Sequence, residues 1–393
     1  MISKQFGVRL RSHAAGLSLI LGLMSSAAAT ADETGAPALD KTQAGHYRVK
    51  VGSADVVALP DQTRAVGFRP FFNNVGRAAV GTIYDRSFSD VNDARLAEQA
   101  KGTPMSSANS RATPALRWEV FVTPGVHIVT RDKPAGVRDT LFQAMAATLI
   151  YGERDAILVD AFMTVAQASA LADWVAARHK NLTTIYITHG HGDHWFGVAT
   201  LLERFPHAKA VGTPSAVKVM RQNASPARLD GAWKLAFPGQ IPDRLVIPEE
   251  LKGNVIDLEG HQLVAVELGH TDTDHTTCLS VPSIGLVVAG DAAYNDVHLY
   301  LAESNAQTRR EWIAALDKME ALNPRAVVAS HKRPENADHP RILGETRQYI
   351  RDFDRLAETT TTAQELYDRM LELHPNRVNP GWALWSSARA AKP

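Results

Sequence analysis

The stretch THGHGDHWFG, Thr188 to Gly197, places His189, His191, Asp193 and His194 within six residues and separates three of them with Gly190 and Gly192. Imidazole nitrogen and carboxylate oxygen are donors that suit zinc, with iron or manganese as alternatives. Glycine between them lets a loop turn tightly enough for alternate side chains to converge on one point. Three more groups of the same kind follow apolar runs farther along: His270 after HQLVAVELG, Asp291 after IGLVVAG and His331 after AVVAS. A spacing of H-x-H-x-D-H at the end of a hydrophobic run is not what core packing alone requires, and the seven groups together point to a metal centre.

Those side chains need rigid elements to hold them, and the pattern around them supplies strands. ATLIYGERDAILVD is two apolar strands around a polar turn, ending on Asp160; VAQASALADWVAARH has helical periodicity; LTTIYIT is a strand that runs into the histidine cluster. The second half repeats the habit, with strands ending on His270, Asp291 and His331. Between the last two, TRRE at Thr308–Glu311 reads as a capping box in front of a helix carrying Trp312, Leu316 and Met319. After His331 the chain turns helical in RILGETRQYIRDFDRLAE and AQELYDRMLELH, whose Tyr349, Phe353, Tyr367 and Met370 read as core residues. Strands alternating with helices in two similar halves imply an α/β sandwich with helices covering two packed sheets, and ligands gather at its strand ends.

At 393 residues and 45% hydrophobic content the chain can bury a large core. Lys+Arg and Asp+Glu balance at 42 each, so there is no basic field to draw it onto nucleic acid; the partner is a small molecule. The single Cys278, in TTCLSV, reads as a buried core residue. Residues 1–31 read as an export signal: Lys4, Arg9 and Arg11, then the short apolar run AAGLSLILGLM, then small-residue cleavage points after Ala29 or Ala31. No second segment of membrane-spanning length follows, which implies a periplasmic or secreted protein without a stable span. Residues 32–113 form an extension with a β-hairpin around Gly52 and Ser53 and a polar linker; it either adds a strand pair to the sandwich or forms an arm for a homodimer. The catalytic domain is expected over 114–335 and a packed helical segment over 336–393.

HGHGDH followed by GHTDTDHT, AGDAAYN and ASHKRP resembles the metallo-β-lactamase superfamily of hydrolases, over roughly Leu116 to Pro334. The resemblance implies the αβ/βα four-layer sandwich of that type, with two Zn²⁺ per chain (iron or manganese as alternatives). It implies one metal on His189, His191 and His270, a second on Asp193, His194 and His331, Asp291 bridging them, and Asp160 and His275 supporting the ligands from behind.

Such a pair of dications lowers the pKa of a shared water enough to give hydroxide at neutral pH, and Asp193 is placed to orient it and shuttle its proton. The retained Asp291 is similar to glyoxalase II and the N-acyl homoserine lactonases rather than to the zinc β-lactamases. Tyr294, three residues on, stands at the spacing where lactonases carry a tyrosine that assists the substrate, and it is expected to donate to the developing oxyanion. His298 and Tyr300 are expected to line the substrate pocket. The implied activity is hydrolysis of a cyclic ester or related carboxylic ester or amide. β-Lactamase, thioesterase and phosphotriesterase activity are the hydrolytic alternatives, and an iron-dependent redox relative is the alternative of a different class.

Overall fold

The computed structural model describes residues 47–51, 54–58 and 115–392. The expected export signal, 1–31, and most of the extension over 32–113 lie outside these. What is described of the extension is a hairpin: β1 (Tyr47–Val51) pairs antiparallel with β2 (Ala54–Ala58), the two strands flanking Gly52 and Ser53. It falls in a unit spanning Met1–Arg64, separate from the unit Ala65–Pro393.

The described part of the second unit begins with β3 (Arg117–Thr123), β4 (Met145–Tyr151) and β5 (Asp155–Val159), an antiparallel meander. Helix α1 (Val165–Ala176) then carries the chain back so that β6 (Asn181–Tyr186) lies parallel to β5. Thr164 starts α1 with a reciprocal capping box to Gln167, which satisfies donors that a helix start leaves orphaned. After β6 come α2 (Gly192–Trp195) and α3 (Val198–Arg204), then β7 (Lys209–Gly212), α4 (Pro214–Asn223) and the two-residue β8 (Glu249–Glu250). These strands make a six-stranded sheet in chain order. The second sheet is five-stranded: β9 (Val255–Leu258), β10 (His261–Gly269), β11 (Thr276–Val281) and β12 (Leu286–Asn295) run as a meander. Then α5 (Ala306–Ala321) crosses over to β13 (Ala326–Lys332), parallel to β12.

The period of two along these strands sorts their side chains into layers. Ile150, Ile157 and Val159 of the first sheet meet Leu263, Leu279, Leu286 and Val288 of the second in one buried cluster between the sheets. Their neighbours Leu149, Ala156 and Leu158 turn outward against α1, α3 and α4, and Cys278, Val287 and Ala289 turn outward against α5 and the C-terminal helices. Burying one such aliphatic side chain contributes roughly 1.5–3 kcal/mol, so β4, β5, β11, β12 and β13 are held from both faces. This is the four-layer sandwich with C-terminal helices. Those helices are α6 (Arg341–Thr359), α7 (Ala363–Leu373) and α8 (Pro380–Ala391), and Tyr349, Phe353, Tyr367 and Met370 lie in the outer cluster.

Two details differ from the sequence reading. The cap of α5 is Asn305, whose side chain accepts from Gln307 and Thr308 N–H while Thr308 answers in the box, so the helix starts ahead of the expected Thr308–Glu311 signal. A third C-terminal helix, α8, follows Asn379, a residue in the left-handed region that the sequence signals did not mark. No helix among the described residues is long and apolar enough to cross a membrane.

Candidate metal centre

β5 and β6 end at the same edge of the first sheet, and β12 and β13 bring their chemistry to the same end of the second. Asp160, just after β5, has φ +65°, a conformation that asparagine and aspartate tolerate better than most residues. Its carboxylate accepts the Thr188 backbone N–H at 3.0 Å, faces His194 Nδ1 at 2.9 Å and accepts Ser330 Oγ at 2.9 Å from the other sheet. One buried carboxylate therefore fixes the histidine loop, one imidazole and the β13 strand together.

The glycines of HGHGDH do something other than the turn expected of them. Neither Gly190 nor Gly192 has a positive φ. Instead, a Cβ on Gly190 would sit 2.4 Å from Val219 Cγ1 on α4, and one on Gly192 would sit 2.3 Å from the Phe196 ring. They are small because the loop is pressed against its neighbours.

Two groups of donors result. In one, His189, His191, Asp272 and Asp291 each offer an atom, all within 4.8 Å of one another; in the other, Asp193, His194, Asp291 and His331 do the same. All seven are buried. The rings are aimed from behind: Thr188 Oγ1 lies 3.0 Å from His189 Nδ1, Asp160 lies on His194 Nδ1, and the Ala144 carbonyl lies 2.9 Å from His331 Nδ1. That leaves Nε2 of these three histidines facing inward, a division of ring nitrogens usual where a second partner orients a metal ligand.

The chemistry of the donor set fits cations. Nε2 of His189 and of His194, Oδ2 of Asp272 and Oδ1 of Asp291 are buried with no hydrogen-bond partner, although buried polar atoms are otherwise nearly always paired. His194 Nε2 lies 3.4 Å from Asp193 Oδ2 and 3.4 Å from Asp291 Oδ1 without making a hydrogen bond to either. Close approach without donor alignment is what ligands around a common ion do. The electrostatics agree: burial alone would raise the Asp193 carboxyl, yet His194 and His331 hold it well below the usual range. Burial opposes protonation of His331, but Asp291 and Asp193 bring it up to about 10.

The expected ligands divide as follows. His189, His191, Asp193, His194, Asp291 and His331 come together. His270 does not join either group; its Nδ1 lies 2.7 Å from Asp274 Oδ1, and Asp272, two residues later, is the buried carboxylate that completes the first group. The reason is local: β10 carries a register shift between Glu267 and Gly269, and Gly269 has φ +89°, so the chain swings at the strand end and delivers the next turn inward. Asp272 was not among the ligands expected from the sequence.

Of the supporting residues, His275 is exposed with φ +60° and lines an outer, polar recess with Lys218 and Asp274, away from the place behind the ligands expected of it. Tyr294 is fully buried, its hydroxyl donating to Asp291 Oδ2 at 3.1 Å and its ring stacked on His331 at 5.5 Å. It is absent from the cavity wall, so the geometry makes it an orienting donor for a carboxylate, not the oxyanion donor that its spacing suggested. His298 is also buried away from the cavity, against the Tyr349 hydroxyl at 2.9 Å, and burial lowers its pKa to about 3. Tyr300 does line the cavity, edge-on to His191 at 5.9 Å and stacked on Trp382.

That cavity, about 170 Å³, opens over Asp193, Asp291 and His331. Its far wall is aromatic: Phe142, Trp233, Phe237 and Trp382, the second and third from short helical turns over Leu229–Trp233 and Lys234–Ala236 and the residue after them, the last from α8. Asn223 and Arg228 stand among the polar residues of the lining. None of these was read from the sequence, because each lies in a stretch with no motif and reaches the cavity only through the fold.

A family model described as the metallo-beta-lactamase superfamily matches residues 145–331. No curated protein matches the chain. Among solved structures, a metallo-beta-lactamase family protein from Thermus thermophilus is 19% identical, with 69% of this chain and 91% of that one covered at a TM-score of 0.48. A metallo-beta-lactamase from Pontibacter korlensis is 14% identical over 60% of this chain and 100% of its own, with a TM-score of 0.43. The metallo-beta-lactamase FIM-1 from Pseudomonas aeruginosa, in a mono-zinc form, is 16% identical over 58% and 96%, with a TM-score of 0.41.

Proposed function

Because the chain belongs to the metallo-beta-lactamase superfamily, matched over residues 145–331, we propose that it is an exported hydrolase that uses two divalent cations, zinc first among them, to open a lactone bearing an apolar substituent, or to cleave a related carboxylic ester or amide. The observation that carries the reading is Asp291, which belongs to both groups of donors, so that one carboxylate serves two cation positions at the floor of an aromatic-walled cavity. His189, His191, Asp272 and Asp291 would hold one cation and Asp193, His194, Asp291 and His331 the other.

Cations bound there supply Lewis acidity toward a carbonyl and lower the pKa of water from about 15.7 to about 7. The chain's own residues do the rest. Asp193 faces the cavity and is kept ionised by His194 and His331, so its carboxylate accepts a hydrogen from the attacking water and orients it. Tyr294 holds Asp291 in one rotamer through its hydroxyl. Phe142, Trp233, Phe237 and Trp382 take the substituent and exclude water, which strengthens every electrostatic interaction within. Among the described residues no serine or cysteine lines the cavity, and burial pushes the Cys278 thiol up to about 12, which leaves it no nucleophilic part.

The test is metal content by elemental analysis of the purified protein, run beside a pH-stat assay that offers an acyl homoserine lactone, a cephalosporin, a thioester and a phosphotriester. Chelator-sensitive proton release from the lactone is the expected outcome. Release from the cephalosporin, thioester or phosphotriester alone would move the activity to that class, and iron with none of the four cleaved would favour a redox role. Export rests on the basic start and the apolar run of residues 1–31; N-terminal sequencing of protein made from the whole chain should begin at Thr30 or Asp32, and an intact Met1 would count against it.

A further inference from the structure

We infer that Asp272 replaces His270 as the ligand at the first cation position, so that the two positions have matched donor sets: two imidazoles and one carboxylate each, with Asp291 in common. The inference deepens the metal-dependent reading above and rests on it. Asp272 is fully buried, and its Oδ2 lies 2.8 Å from His191 Nδ1 and 3.4 Å from His189 Nε2 without a hydrogen bond to either. Its other oxygen is committed elsewhere, accepting the Thr271 hydroxyl at 2.8 Å, so the carboxylate has one oxygen anchored and one free for an ion.

The turn that presents it is closed by its own hydrogen bonds. Thr271 N–H donates to the Thr273 carbonyl at 2.9 Å, and the Thr273 hydroxyl donates to Glu303 Oε2 at 2.8 Å. That same Glu303 oxygen lies 3.4 Å from His191 Nε2. One short turn thus sets Asp272 at one nitrogen of His191 and Glu303 at the other. Nδ1 of His191 faces the donor group while Nε2 faces an outer carboxylate, the mirror of the arrangement at His189, His194 and His331.

His270 is placed against this role. Its Nδ1 is taken by Asp274, and although its Nε2 is buried without a hydrogen bond, it lies outside both groups. Two consequences follow for the centre. Three carboxylates against two dications leave a formal charge of +1 (4 − 3), where five histidines and two carboxylates would leave +2 (4 − 2). Equal donor sets also remove the chemical reason for one position to fill long before the other.

The experiment is a divalent-cation titration of the apo-protein with zinc against a chromophoric chelator, read as stoichiometry and affinity with no assay of turnover, on the wild type, Asp272→Asn and His270→Ala. The wild type should take two cations. Asp272→Asn should keep one and bind the second on the order of 100-fold more weakly or worse, since loss of an outer-shell partner alone costs roughly 10–100-fold. His270→Ala should keep both. If Asp272→Asn does not fold, His270→Ala decides alone: two cations retained carries the inference, one lost overturns it. A wild type that binds fewer than two cations overturns the metal reading beneath it, an outcome distinct from a two-cation wild type whose His270→Ala loses one.

Discussion

Tyr294 separates two ways in which a tyrosine can serve a hydrolase. Its spacing from Asp291 suggests a hydroxyl aimed at substrate, but the phenol is buried beside His331 with its O–H on Asp291 Oδ2. A hydrogen bond to a charged group contributes about 1.5–3 kcal/mol, and this one also fixes the rotamer of the carboxylate shared by both donor groups. Tyr294→Phe should therefore lower stability by roughly 1–3 kcal/mol and weaken cation binding by about 10–100-fold, while activity at saturating metal largely returns. Denaturant melts and a metal titration check this. A variant with unchanged stability and metal affinity but lost turnover would restore the role at the substrate. Asp160 acts by the same logic on a larger scale, because its two oxygens meet a backbone N–H, an imidazole and a serine from the opposite sheet.

The loop and α4 make the next scale. Since Gly190 is small for contact and not for conformation, Gly190→Ala should push Val219 and with it α4, whose Asn223 reaches the cavity. Overpacking of this kind costs typically about 1–3 kcal/mol. Val219→Ala in the same chain should return part of that cost, because the two nearest clashing atoms, Val219 Cγ1 and Cβ, become one; the 3.0 Å approach to the Val219 backbone carbon keeps the rescue incomplete. Purely additive losses in the double variant would show that the loop's geometry, and not its neighbour, needs glycine. Elements of this kind also mark what the sequence made legible. The strands leading to Asp160, the histidine loop, Asp291 and His331 were readable because continuous apolar runs, buried on both faces, meet polar ligands there, although β12 runs on past Asp291 to Asn295. The ligand Asp272 was not, because its inward turn depends on a strand irregularity at Glu267–Gly269 that no residue pattern announces. Trp233 and Trp382 were missed for a different reason: they reach the cavity from short turns and a late helix whose positions only the packed sandwich determines.

At the scale of the whole catalytic unit, the donor set works only if two sheets keep their registration, because His189, His191, Asp193 and His194 follow the first sheet while Asp272, Asp291 and His331 belong to the second. Ser330 and Asp160 tie the sheets beside the centre, and Tyr186 and Thr277 tie them at 2.7 Å. The opposite end is closed by Glu259, at the turn between β9 and β10, whose carboxylate accepts the backbone N–H groups of Glu153, Arg154 and Asp155 in the turn between β4 and β5. Those three donors lower its pKa to about 2. A carboxyl depressed on folding stabilises the native state above its unfolded pKa and loses that contribution as pH falls through the folded value. The Glu259 clamp should therefore be intact above about pH 5 and fade toward its folded pKa of about 2. Glu259→Gln keeps the shape and cannot ionise, so the difference in denaturation midpoint between wild type and variant should be constant from neutral pH down to about 5 and close steadily below it. Subtracting the variant removes every other carboxylate, including those of the donor groups, since both proteins carry them equally. A difference that persisted unchanged to acid pH would mean that the clamp works through shape alone and that charge at Glu259 contributes nothing to holding the sheets together.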